Sequence, residues 1–368
     1  MRAEIVERLG MREPLVVTGT FDRPEIDLRV DTFARAQAKR DAVVELVVHR
    51  GGPGIVYVAT RRNATAVASA LSAAGVEAAS YHGALGRKQR AEVHDGFLAR
   101  ATRVVVATNA FGMGIDKADV RFVVHHDVPA SLDAYYPEIG RAGRDGDDAE
   151  AILCYQPGDL ALQKFFAGGG LDVETFAAVL RAASAASRPV SATRLAADTG
   201  LPRARVTVAI DGLTRAGAVR RDGRGRVADV TAADARAAVA SAVEAEEGRR
   251  RLERSRIEMM RAYAETAWCR RAVLLGYYGE ELVSPCGRCD NCRAGLVEPP
   301  ARRAPFPVGE RVVHTEWGGG TVMITEAERF VVLFDTAGYR TLSTKLVLDK
   351  GLLEHGFRRP GVGSARGG

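Results

Sequence analysis

No apolar run in this 368-residue chain approaches the roughly 18 residues that cross a bilayer, and its N-terminus lacks the apolar stretch of a secretory signal. The expectation is a soluble, intracellular chain with no membrane partner. Two other strings are missing. One is GxxxxGK(S/T), whose backbone amides and lysine cradle a triphosphate, and the other is DExH, which holds magnesium and orients an attacking water. Cysteine is scarce, with five in all. Arginine greatly outnumbers lysine and alanine is abundant, which reflects a GC-rich genome as much as selection for phosphate. The net charge of +6 has the sign that suits a polyanionic partner, and a hydrophobic content of 46% is ample for two or three packed domains.

The segment YYPEIGRAGRDG places Arg141 and Arg144 three residues apart, each flanked by glycine. On a helical turn, side chains at that spacing point the same way, and glycine leaves them open to a bulky anion. A guanidinium is planar, permanently charged and able to hold phosphate oxygens bidentately. Taken alone, the segment is either a phosphate clamp or an arginine-rich surface turn.

Upstream, GIVYVATRR begins at Gly54 and runs into an alanine-rich amphipathic stretch. Residues 103–129 follow with two strand-like runs, Val104–Ala107 and Phe122–His125, around a glycine-punctuated loop. Strand, helix, strand, loop, strand indicates a parallel sheet with crossover helices, whose ligands gather at the carboxyl ends of the strands.

Together these blocks resemble motifs IV, V and VI of the second motor lobe of superfamily-two helicases. FGMGIDK and YYxExGRAGRDG are similar to the RecQ family in particular. The resemblance covers residues 16–157 and resumes at a cysteine cluster. It implies that Arg144 is the finger on a γ-phosphate and that Arg141 is its partner. It also places Asp116 and Gly114 of GMGID beside the nucleotide, and Thr60, Arg61 and Thr108 near the nucleic acid backbone. The other reading of Asp116 is as the cap of the following turn, and that of Thr108 as a strand-end hydroxyl bonded to its own backbone. Two departures stand out. Pro137 replaces the usual glutamine, which removes an amide from the nucleotide side, and His82, Gly83 and Ala84 change the order of small residues after the histidine. With no P-loop or DExH, the resemblance implies that the first lobe is not among these residues and that 1–24 is an interlobe connection. The chain is then a fragment, or its other lobe is separate.

Cys269, Cys286, Cys289 and Cys292 form the second signal. The last three read CGRCDNC, two overlapping CxxC steps, and four thiolates complete a tetrahedral zinc site. A disulfide framework does not suit an intracellular chain, and a redox CxxC does not need four cysteines. The flanking IEMMRAYAETAWCRRAVLLGYYGE resembles the helical platform of the RecQ zinc module, where the metal is structural. Cys154 ends a hydrophobic strand and reads as core.

Between lobe and zinc module, SATRLAADTGLPRARVTVAIDGLTRAGAVRRDGRGRVADV shows a helix, a TGLP turn, a second helix and a basic hairpin. That is a winged helix-turn-helix pattern, placed earlier than the family usually has it. Arg203, Arg205, Arg221 and Arg224 are its candidate DNA contacts, with Arg220 and Arg226 beside them. A protein-docking winged helix is the other reading. The charged run ending RRRLERSR reads as an arm into the zinc module, with a solvated face or a phosphate contact. After a proline-rich linker, about five short strands suggest a small SH3-like or Tudor-like barrel. Trp317 and Tyr339 read as its core, or else as an aromatic surface for a peptide or a base, and the barrel itself is a candidate site for a protein partner.

The expected fold is α/β and multidomain. Residues 25–160 form a RecA-like lobe, 165–232 a winged helix-turn-helix, 233–297 a helical arm and zinc module, 298–307 a linker, 308–356 a small barrel and 357–368 a disordered tail. By resemblance the chain is the C-terminal part of a 3′ to 5′ DNA helicase of repair and recombination. It would use structural zinc, and ATP and magnesium only together with a first lobe supplied in cis or in trans. Its partners would be single-stranded and junction or duplex DNA, and its location the cytoplasm, at the nucleoid. The alternative is a non-catalytic DNA-binding scaffold derived from such a lobe.

Overall fold

The computed structural model describes residues 6–7, 9–12, 14–15, 17, 19–112, 116–168, 172–231, 234–282, 284–297, 305–326 and 328–356. Most of the expected linker, all of the expected tail and part of the N-terminal connection lie outside these.

Six parallel strands build the first unit: β1 (Ile26–Thr32), β2 (Gly54–Tyr57), β3 (Ala78–Tyr81), β4 (Val104–Ala107), β5 (Phe122–His125) and β6 (Ala149–Tyr155). Their order is β1-β6-β5-β2-β4-β3. Both faces are covered, which is why β2, β4 and β5 are continuous apolar runs rather than alternating ones. Ile55, Val105 and Val123 pack into the core shared with the C-terminal elements, while Val56, Val106 and Val124 pack under helices α1 (Ala36–Val48) and α2 (Arg61–Ala73). Gly54 is needed at the start of β2, because a Cβ there would lie 2.0 Å from the Phe122 ring. α3 (Arg87–Leu98) and α4 (Leu132–Ile139) complete the lobe, and α5 (Asp159–Gly168) leaves it.

A buried ion cluster ties the carboxyl end of this sheet together. Lys39 of α1 is 1% exposed, and its Nζ lies 2.7 Å from Asp159 and 3.5 Å from Asp127. Asp127 also accepts from the Ala59 amide at 2.7 Å and from Asn63 at 2.9 Å. Burial raises the pKa of this carboxyl, but hydrogen bonds from His126 and Ala59 and the Lys39 charge outweigh it, holding Asp127 well below the usual range.

The second unit contains α6 (Val173–Ser184), α7 (Ala192–Thr199), α8 (Arg203–Arg215) and the hairpin β7 (Val219–Arg221) and β8 (Val227–Val230). Its core of Phe176, Leu195, Ile210 and Leu213 also takes in Val239 and Ala242 from α9 (Ala235–Glu265). This 31-residue helix is about 46 Å long at 1.5 Å per residue. Its C-terminal half, with Ile257, Met260 and Tyr263, enters the core of the motor lobe. Midway, Glu246 is 1% exposed and held by Arg249 and Arg215. The arm is therefore one continuous helix shared by two cores, and its charged run is partly engaged within the protein.

The cysteines lie around α10 (Arg270–Tyr277) and α11 (Asp290–Arg293): Cys269 and Cys289 are the N-caps, Cys292 is in α11 and Cys286 is in the connection between them. Beyond them lie β9 (Arg311–His314), β10 (Gly318–Thr325), β11 (Arg329–Phe334), β12 (Gly338–Ser343), α12 (Thr344–Lys350) and β13 (Leu353–His355). The five antiparallel strands are ordered β12-β11-β10-β9-β13, with a register shift in β10 between Val322 and Ile324. Tyr339 corrects the reading of barrel core. It is buried, but it stands on the face of β12 opposite Leu342, because positions three apart in a strand point to opposite sides. Its ring lies 5.8 Å from Tyr277 of α10, so it glues this sheet to the zinc helices. Trp317 stays with its own sheet, stacked on His314 at 4.2 Å. Among the described residues no helix is long and apolar enough to cross a membrane.

Replacing Lys39 with alanine leaves two buried carboxylates without their cation. The expected loss is about 3–5 kcal/mol of unfolding free energy, read from urea denaturation at neutral pH.

Candidate functional site

Two constellations concentrate the chemistry: a cleft beside α4 and a set of four thiols. α4 starts on Ser131, whose hydroxyl accepts from the Ala134 amide, and ends at Gly140. The chain then turns sharply. Gly143 has φ +62°, and a Cβ there would meet Asp147 O at 2.9 Å and Glu25 Cγ at 3.0 Å. This turn presents Arg141 and Arg144 to one cleft of about 480 Å3, lined also by Arg23, Gly112, Asp116, Tyr136 and Pro137. The two arginines therefore sit on the turn after the helix rather than on the helix.

Their environments differ. Arg144 reaches Asp116 Oδ1 at 2.8 Å, and the carboxylate is 89% exposed. An exposed pair of this kind contributes about 0–1 kcal/mol, little enough for a stronger anion to replace it. Arg141 is more enclosed. Its Nε is buried with no hydrogen-bond partner among the described residues, and a Cβ on Gly112 would come within 3.2 Å of its Nη2. Beneath it, Tyr57 donates to Phe111 O at 2.9 Å and stacks on His125, whose Nε2 lies 2.8 Å from Glu138 of α4. Burial drives the Tyr57 hydroxyl well above its ordinary range, with the charge of Arg141 opposing the shift. Pro137 lines the cleft with no amide to offer.

The other named positions scatter. Gly114 lies outside the described residues. Asp116 makes the ion pair with Arg144. Thr60 caps α2 by accepting from the Asn63 amide at 3.1 Å, and Arg61 opens that helix, exposed and without a side-chain partner among the described residues. Thr108 Oγ1 accepts, at 3.5 Å, from the Ala110 amide, which is the local backbone bond its sequence position allows. In the winged helix, Arg205 is tied to Asp172 and Thr175, and Arg221 to Asp211. Arg220 pairs with Asp229 and Arg226 with Asp222. Arg203 at the start of α8 and Arg224 at the hairpin tip are exposed, with no side-chain partner among the described residues. Arg23, His125 and Glu138 were missed by motif reading; their positions relative to the arginine turn emerge only from folding.

The thiols of Cys269, Cys286, Cys289 and Cys292 all lie within 4.8 Å of one another. Cys286 and Cys292 Sγ are 3.9 Å apart. A tetrahedral zinc ion with bonds of about 2.3 Å sets its sulfurs roughly 3.8 Å apart, so this set fits the metal. The Cys286 amide donates to Cys269 Sγ at 3.4 Å, and the Cys289 amide to Cys286 Sγ at 3.3 Å, the kind of outer support that thiolate ligands receive. Four protein ligands leave no open position, which makes the site structural. Cys154 is elsewhere, fully buried in β6, where burial lifts its thiol to about 12.

A parallel lobe with paired arginines at its strand ends is the class of helicase motor domains. Residues 38–146 match the helicase conserved C-terminal domain, 228–293 the RecQ zinc-binding domain and 176–223 the IclR helix-turn-helix domain. The ATP-dependent DNA helicase RecQ of Pasteurella multocida is 29% identical over 349 residues, covering 95% of this chain and 41% of that one. RecQ of Bacillus subtilis is 41% identical over 163 residues, covering 44% of this chain and 27% of that one. Among solved structures, a DEAD box protein from Methanococcus jannaschii is 26% identical, with a TM-score of 0.35, over 38% of this chain and 39% of that one. Together these matches support the C-terminal portion of a RecQ-like helicase. The chain spans about two fifths of the length of the first curated relatives it matches.

The purified chain is expected to carry one zinc per molecule by metal analysis. Cys286→Ser should lower that content and the thermal midpoint together, because binding energy at a structural site is folding energy.

Proposed function

We propose that this chain supplies the second motor lobe and the DNA-binding C-terminal elements of an ATP-dependent 3′ to 5′ DNA helicase. The observation that carries the reading is the turn that directs Arg141 and Arg144 into one open cleft. Phosphoryl transfer needs little covalent chemistry from protein, only positioned positive charge where charge develops. Arg144, now on an exposed carboxylate, would exchange Asp116 for the γ-phosphate when a first lobe presents ATP and magnesium. Arg141 would stabilise the same phosphates from the enclosed side. Asp116, once displaced, would be left beside the nucleotide. Gly114 belongs to the same proposed nucleotide contact.

For DNA, the carboxyl ends of β2 and β4 offer Thr60, Arg61 and Thr108, the proposed track for the strand. In the winged helix, the pairing of Arg205 and Arg221 with aspartates leaves Arg203 and Arg224 as the stronger candidates for phosphate contact. The relatives named as DNA helicases support a nucleic acid partner. Work in repair and recombination, and a place at the nucleoid, follow from the same reading. The scaffold alternative gains from Pro137 and from the lack of the GxxxxGK(S/T) and DExH strings in these residues, and the intact pair of arginines speaks against it.

The 368 residues alone should show no DNA-stimulated ATP hydrolysis, since their sequence holds neither the GxxxxGK(S/T) nor the DExH string that would grip a triphosphate and its magnesium. Turnover that Arg144→Ala abolishes would sink that expectation. For the winged helix, Arg203→Ala with Arg224→Ala should weaken duplex DNA binding and reduce the slope of log K against log salt by about 2, one for each lost phosphate contact. An unchanged slope would assign the winged helix to protein docking.

A further inference from the structure

We propose that Arg23 is a positioning residue for Arg141, and that the zinc-side helix α10 holds Arg23 in place. This rests on the phosphate-clamp reading of the cleft and adds how the clamp is aimed.

Arg23 donates from Nη1 to Gly140 O at 3.0 Å and from Nη2 to Ala142 O at 2.9 Å. These are the carbonyls on either side of Arg141. A planar fork that bonds both fixes the Gly140–Arg141 peptide plane and the Ala142–Gly143 plane just beyond, and so holds the backbone that sets where the Arg141 side chain leaves it. Arg23 Nε is occupied by Glu25, so the guanidinium is committed on all three nitrogens to the protein. It borders the cleft with three of its five N–H donors held by the protein.

The segment bearing Arg23 is itself gripped from α10. Arg271, 7% exposed at its side chain, donates to Asp22 at 2.7 Å and to Ile26 O at 2.7 Å, bracketing Arg23 in sequence. The Phe21 ring stacks on Tyr278 at 4.6 Å, and its amide donates to Glu280 at 2.9 Å. Cys269, one of the four thiols, is the N-cap of α10, two residues before Arg271. A continuous series of bonded groups thus runs from the metal ligands to the arginine turn. The zinc module would aim the clamp as well as stabilise the fold.

The test uses the zinc-loaded full chain with labelled arginine, following the Arg141 Nε–Hε NMR signal assigned with Arg141→Lys. Arg23→Lys keeps the charge but replaces the planar two-nitrogen fork with a single ammonium nitrogen, which cannot hold the two carbonyls in a fixed orientation. The expected result is that the Arg141 signal moves toward the free-arginine position while zinc content and melting temperature hold. Tripolyphosphate, titrated as the probe, should then bind at least tenfold more weakly. An Arg141 signal that stays in place, or a lysine variant that keeps its tripolyphosphate affinity, overturns the proposal. Should Arg23→Lys lose its fold, Asp22→Asn, which removes only the carboxylate held by Arg271, is expected to shift the Arg141 signal the same way, and no shift overturns the proposal. If tripolyphosphate leaves Arg141 of the native chain undisturbed, the phosphate reading fails by itself, and the signal comparison still decides whether Arg23 positions Arg141.

Discussion

The unpaired edge of β1 is the constraint on which the rest of the molecule leans. A parallel sheet must end somewhere, and its last strand presents amides and carbonyls that need partners. Here the partners are side chains of the cysteine-bearing elements. Ile26 O accepts from Arg271, and the Val30 amide donates to Asp290, which in turn holds Arg270. These positions are four apart and face the same edge. Arg288, between two cysteines of the knuckle, adds ion pairs to Asp27 and Asp148. The edge is closed by side chains whose backbone a metal site organises.

That closure explains why the lobe and the zinc helices share one hydrophobic core instead of meeting at a polar interface. Tyr135 of α4 packs on Tyr263 of α9 at 5.4 Å, Tyr278 donates to Leu132 O, and Tyr277 bridges Asp133 and Tyr339. α4 thereby has one face in the core and its C-terminal end at the cleft. On the proposed phosphate reading, a rigid body behind the arginine turn is what preorganised charge requires, because reorientation at the moment of reaction would cost much of the gain.

How much of this was legible in sequence follows from the range of each interaction. The strands Val104–Ala107 and Phe122–His125 fall where the β-branched runs indicated, since burial on both faces leaves a continuous apolar signature. The four thiols converge as their spacing implied, because a metal site imposes its geometry on short sequence steps. The tie of Arg23 to Gly140 and Ala142 crosses more than a hundred residues and leaves no local pattern. Tyr339 was misplaced for a related reason. Alternation tells which strand residues share a face, but not which of the two faces meets a second domain.

Charge shows the same limit from the opposite direction. The hairpin and second helix of the winged unit read as strongly basic, yet aspartates on the same unit take up Arg205, Arg220, Arg221 and Arg226. Each aspartate offsets the positive charge of the arginine it pairs with, so the arginine count overstates the net basic footprint of the unit. Among the described residues of this helix and hairpin, Arg203 at the start of α8 and Arg224 at the wing tip are exposed without a side-chain partner, the two places a winged helix would bring to a groove and to the adjoining backbone. Because α9 runs unbroken from this unit into the motor core, a duplex held there would be held at a set distance from the arginine turn. The position of the winged unit ahead of the zinc site would then matter mechanically: its load would reach the lobe through a single helix rather than through a flexible linker.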